Sequence, residues 1–138
     1  MATYNYKVGL GNVGSYQVAG VPWVSGNVSA GATTAQSVSF PTVTSWVMVV
    51  NNATGNCRVG FSKNGVDNNN YFTLRSLTNG GPNTLGPIDL KVTQLWVSGS
   101  TDVDIIAGLT CIEPLNINNI AISPSGSNWS GSLGALVG

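Results

Sequence analysis

The 138-residue chain contains no histidine. That absence removes imidazole as general base, nucleophile activator and metal ligand, so His-dependent triads and His-rich metal sites are excluded. Cysteine occurs only at Cys57 and Cys111. Two thiolates without histidine cannot complete a four-ligand zinc site, and two cysteines fall well short of a disulfide framework. Charge is equally scarce: five basic and five acidic residues make up 7% of the chain, against about a quarter in an ordinary soluble domain. With a formal net charge of zero and no cluster of basic residues, there is no electrostatic footprint for phosphates, and Lys7 alone does not supply one. No nucleic-acid partner is expected. Apolar runs are short as well. The windows near 46–50 and 105–109 fall far below the roughly 20 residues of a spanning helix, so no membrane span is expected. The opening, MATYNYKVGLGNVG, shows no basic segment followed by an apolar run, and the expectation is that it is not an export signal. The triplets at Asn27, Asn52 and Asn128 then read as chance products of an Asn/Ser/Thr-rich chain.

Hydrophobic residues make up 42% of the chain and glycine occurs 18 times. A domain of this length can bury a continuous core without metal or disulfide staples, but its surface must be largely neutral, and a neutral surface with no net charge tends to associate. Burial of much of that surface in an assembly is the first expectation; a secreted domain coated in Ser, Thr, Asn and Gly is the alternative. Cys57 sits on the apolar alternation of a strand and Cys111 follows the last strand-like run, so both are expected as reduced, buried thiols. A Cys57–Cys111 bridge remains open on sequence alone.

Dense β-type patterning centres on residues 46–66, WVMVVNNATGNCRVGFSKNGV. Two runs joined by residues 51–56 read as a hairpin. In the second, Cys57, Val59 and Phe61 share one face and Arg58, Gly60 and Ser62 the other. In the first, Trp46, Met48 and Val50 alternate with Val47 and Val49, so both faces are apolar and the strand is expected to be covered twice, by a second sheet and by a neighbouring subunit. Before it lie two short extended segments, VPWVSGNVSA and AQSVSF, and Pro22 places the first at a sheet edge. After it come a turn at Asn64-Gly65, a polar loop at 67–70, a strand over 71–74 with Phe72 and Leu74 inward, and a glycine-rich loop at 79–83. Strands over 88–98 and 103–112 follow, joined tightly through Gly99-Ser100-Thr101. In the last, Val103, Ile105, Ala107 and Leu109 face one way, with Asp104, Ile106, Gly108 and Thr110 opposite. No stretch carries a helical apolar period. The expected fold is all-β, a single jelly-roll β-sandwich of about eight antiparallel strands over 21–115. Residues 1–20 read as an N-terminal arm and 116–138 as a Gly/Ser-rich C-terminal tail.

The segments VGFSKNGV (59–66), YFTL (71–74), 91–98 and VDIIAGLT (103–110) resemble short jelly-roll capsid proteins of large icosahedral double-stranded DNA viruses, their penton proteins above all. The likeness runs from 46 to 112, about half of the chain, and rests on strand and turn patterns. It implies a single eight-stranded jelly roll, five copies closing a fivefold vertex of the virion, partners among the neighbouring capsid proteins, and assembly in the host cytoplasm. It carries no catalytic residues. The alternative is a binding module such as a capsid decoration protein, fibre head or lectin-like carbohydrate-binding domain.

Few residues are candidates for chemistry. Asp102 and Asp104 share a strand face and suggest a carboxylate pair or two Ca²⁺ ligands, but no third carboxylate is near in sequence, and solvated residues at a hairpin end are the simpler reading. Asp67 with Asn68, Asn69 and Asn70 offers oxygens to a weak cation site or forms an ordinary polar loop. Trp23 and Trp46 lie in apolar surroundings and read as core or interface, while Trp96 and Trp129 are candidates for exposure, useful for stacking on carbohydrate or packing on protein. The chain is therefore expected not to be an enzyme, and no catalytic, cofactor-binding or metal-binding residue is assigned.

Overall fold

In the computed structural model, which describes residues 20–31 and 34–113, two four-stranded antiparallel sheets face each other across the apolar sides of their strands. The strands are β1 (Val21–Val28), β2 (Gln36–Ser39), β3 (Thr44–Asn51), β4 (Cys57–Gly60), β5 (Phe72–Leu74), β6 (Thr84–Ile88), β7 (Gln94–Ser98) and β8 (Val103–Leu109). A five-residue helix α1 (Lys63–Asp67) lies between β4 and β5, and a 3-10 turn (Leu77–Asn79) between β5 and β6. The sheets run β1-β8-β3-β6 and β2-β7-β4-β5. First pairs with last, second with seventh, third with sixth and fourth with fifth, alternately in one sheet and the other. The chain is thus one long hairpin, folded at α1 and rolled up so that successive rungs fall in opposite sheets. That is jelly-roll topology, as expected.

Alternation predicted the inward faces well. Val103, Ile105, Ala107 and Leu109 of β8 are buried, as are Val47 and Val49 of β3, Val59 of β4 and Leu74 of β5. Those of β3 and β8 meet Val59, Leu74, Val38, Leu95 and Val97 of the opposing sheet in one core. Phe61 and Phe72, expected in the core, are only partly buried and pack on its border. Trp23 closes the β1 side, its ring edge-on to Phe40 at 4.8 Å between centroids and 75° between planes. β1 is an edge strand, as Pro22 required.

Four features of the connections differ from expectation. β3 and β4 are not a hairpin: β3 pairs with β8 and β6, β4 with β5 and β7, so the corner at 52–56 carries the chain from one sheet to the other. The connection through Gly99 likewise crosses between sheets, from β7 to β8. The run 88–98 is not one strand: β6 ends at Ile88, β7 begins at Gln94 in the opposite sheet, and 89–93 cross between them. There Thr44 takes the crossing backbone in hand. Its Oγ1 lies 2.6 Å from Leu90 O and accepts from Val92 N at 3.1 Å, which satisfies main-chain groups that a continuous strand would have paired. Finally, Asn64-Gly65 is not a tight turn but part of α1. Ser62 caps that helix, with Gly65 N donating to its Oγ at 2.9 Å and Val66 N to its carbonyl at 3.1 Å. Val66, fully buried, then rests on Gly60, where a Cβ would come within 2.6 Å of the Val66 methyl.

The arm over 1–20, Gly20 apart, and the tail over 116–138 with Trp129 lie outside the described residues.

Candidate functional site at the loop end of the sandwich

Because alternate rungs occupy opposite sheets, the connections β1–β2, β3–β4, β5–β6 and β7–β8 all emerge at one end. They are hydrogen-bonded to one another there. Ala30 N donates to Ser100 O and Gly99 N to Gly31 O, joining the first connection to the last at 2.7 and 3.1 Å. Ser76 N and Asn79 Nδ2 both donate to Asn56 Oδ1, at 3.2 and 3.1 Å, joining the second to the third. Gly99 turns the chain with φ of 86°, a left-handed conformation that glycine adopts without a Cβ penalty.

Asn51, 1% exposed, is the centre of this end. Its Nδ2 donates to Gly55 O at 2.8 Å and Leu74 O at 3.2 Å, and its Oδ1 accepts from Ala53 N at 3.2 Å and Ser100 Oγ at 2.7 Å. Asn51 N donates to Asn83 O at 2.8 Å and Asn83 Nδ2 returns a bond to Asn51 O at 3.3 Å. This one residue therefore ties its own corner to β5 and the β7–β8 connection through its side-chain amide, and to the β5–β6 connection through its backbone. All four positions of its amide are used, as a buried polar group requires. Sequence reasoning took Asn51 for an ordinary turn residue. Its one visible sign was an Asn closing an apolar strand on the inward-facing alternation.

Asp102 and Asp104 stand at this end too. Asp104 is a clip: its Oδ1 accepts from Asn27 N at 3.1 Å and its Oδ2 from Asn52 Nδ2 at 2.7 Å, which joins β1 to the β3–β4 corner. Asp102 is bound through its backbone, its carbonyl accepting from Asn52 N at 2.9 Å, while its side-chain Oδ1 is enclosed without a hydrogen-bond partner. At the opposite end Asp67 forms an ion pair with Lys63 at 2.6 Å, one helical turn away, and Asn70 N donates to Gly65 O. Among the described residues no three of His, Cys, Asp and Glu come together.

Both thiols are free. Cys57 is fully buried on β4, and loss of hydration pushes its pKa up to about 11, against which a hydrogen bond with the Ser98 backbone works only in part. It stays a neutral thiol at physiological pH. Cys111 was expected to be buried and is exposed. It lies just past β8, where the strand alternation no longer holds and Thr110 and Ile112 take the inward positions.

The outer faces of the two sheets differ in chemistry. On the β2-β7-β4-β5 sheet, Arg58 sits over the Tyr71 ring at 5.0 Å, and half-buried Trp96 has its Nε1 enclosed without a partner. On the other sheet, half-buried Trp46, Met48 and Val50 point outward, with no further sheet over them among the described residues. Trp46 lies on Gly108, where no Cβ fits. The described residues contain no helix long and apolar enough to cross a membrane. No protein-family model, curated protein or solved structure matches the chain.

Proposed function

We propose that the chain is a structural subunit of a viral capsid, most specifically the penton subunit that closes a fivefold vertex as a homopentamer. The observation that carries this reading is the strand order β1-β8-β3-β6 and β2-β7-β4-β5 in a short chain with a single sandwich. Segments 59–66, 71–74, 91–98 and 103–110, which resemble penton proteins in sequence, supply β4 with the start of α1, β5, β7 and β8 of that sandwich. Composition supports it as well. A ring of five needs a heterologous contact, in which one side of a subunit meets a different side of its neighbour, and a surface with few charges can be buried there at little desolvation cost. Its partners are then further copies of itself and the surrounding capsid proteins, its place is the virion after assembly in the host cytoplasm, and no part of its role is enzymatic.

Sedimentation of the purified chain at low and high salt tests the reading. A pentamer that persists at high ionic strength is expected, because exposed charge attraction contributes little to such a contact. A single chain at micromolar concentration in both conditions overturns it. The second reading, a binding module, draws on Trp96 and on Arg58 over Tyr71, an aromatic and polar sheet face suited to stacking. A trimer would favour a fibre head, and a single chain that binds glycans a lectin-like domain.

A further inference from the structure

We propose that the outer face of the β1-β8-β3-β6 sheet is the surface on which a second copy of this chain docks. The inference rests on reading the chain as a self-assembling subunit and names the face that assembly uses. Register places Val24, Ile106 and Met48 in one row across three strands, each directly opposite the next. Val24 is 66% exposed, and Trp46 on Gly108 extends the apolar surface on one side of the row as Val50 does on the other. Four strands about 4.8 Å apart and roughly 17 to 26 Å long present a footprint of roughly 440 Å². Doubled by the surface it meets, that comes to roughly 900 Å², close to the roughly 1,000 Å² of a specific interface, and an apolar patch of this size on a soluble domain is often functional.

Two features select a second copy, docked face-on. The first is electrostatic. The one charge on this row of strands, Asp104, has both oxygens hydrogen-bonded by Asn27 and Asn52, and the whole chain has a formal net charge of zero, so no net charge opposes the approach of another copy. The second is the protection of the sheet's edges. Outer strands β1 and β6 carry Pro22 and Pro87, which offer no N–H to an incoming strand, and proline on an edge is a common means of preventing strand addition. The edges are blunted while the face stays apolar. Association by this sheet must then proceed through side chains stacked on the face.

Met48 is a built-in probe, since peroxide converts an accessible methionine to its sulfoxide. The test combines sedimentation of the full chain, the Val24→Lys and Met48→Lys variants, and the rate of Met48 oxidation. Expected results are loss of assembly to single chains in both variants with the far-ultraviolet strand spectrum retained, and slower oxidation of Met48 in assembled wild type than in Val24→Lys. Val24 is largely exposed, so its substitution leaves the fold intact and keeps the test independent of any strain from Lys at half-buried Met48. Variants that keep the wild-type mass, or Met48 oxidised equally fast in both, overturn the docking face while the capsid reading stands. A wild type that is a single chain at micromolar concentration overturns both. Slow oxidation of Met48 in a single-chain form also overturns the inference, since the chain's own terminal residues then cover the face.

Discussion

Replacing Asn51 by alanine should destabilise the domain more than any other single polar truncation at the loop end. The side chain makes four hydrogen bonds, two donated to Gly55 O and Leu74 O and two accepted from Ala53 N and Ser100 Oγ. At about 1 kcal/mol net for each, their loss amounts to about 4 kcal/mol. Two of the abandoned groups, Leu74 O and Ser100 Oγ, sit in buried surroundings where water does not readily replace the amide; those at Ala53 and Gly55 are nearer solvent and recover part of their share, so about 3 kcal/mol is expected. Against a total stability of roughly 5–15 kcal/mol this is a large fraction. Urea unfolding followed by tryptophan fluorescence reads it as a lower midpoint with an unchanged slope. Ser100→Ala removes one of the four bonds and should cost about 1 kcal/mol, and the double variant should cost about 1 kcal/mol less than the two singles added, since both remove the same bond. An Asn51→Ala midpoint equivalent to a loss below about 0.5 kcal/mol, or strict additivity with Ser100→Ala, would refute the assignment of Asn51 as the tie among these connections.

Cys57 makes stability fall at high pH. Its folded pKa of about 11 lies above the ordinary thiol value of 9.0, so the stabilisation is fully present below pH 9 and is lost as pH rises from 9 towards 11. About 2–3 kcal/mol is at stake, measurable as the part of alkaline destabilisation that Cys57→Ala lacks. In native protein, a thiol reagent at neutral pH should label exposed Cys111 quickly and Cys57 only on unfolding. Gly60→Ala should cost about 1–3 kcal/mol, because the new methyl would meet the Val66 side chain at 2.6 Å and Asn70 O at 3.1 Å; faster amide exchange confined to α1 and 68–70 would locate the damage. Asp104→Ala removes two charge-assisted bonds at a partly exposed site, and a loss of about 1–2 kcal/mol in thermal unfolding is expected.

Period-two alternation is a local property of a chain, and it specified which side of β3, β4, β5 and β8 is buried, because a strand has only two faces and one must leave water. The absence of helical periodicity and the scarcity of charge were equally legible, and together they led to a neutral all-β sandwich. Pairing was not legible. A strand, a polar corner and another strand satisfy the same local rules whether the second strand lies beside the first or opposite it, and only long-range backbone bonds from β8, β6, β7 and β5 put β3 and β4 in different sheets. The same limit hid the roles of Asn51 and Thr44, each of which acts through groups 23 to 49 residues away, the Leu74, Leu90 and Val92 main chain and the Ser100 hydroxyl. It also misplaced Cys111, since alternation holds only while the ladder does and β8 ends at Leu109. Trp46, Met48 and Val50 declared an apolar second face in the sequence; their alignment with Ile106 and Val24 into one surface required the register of three strands.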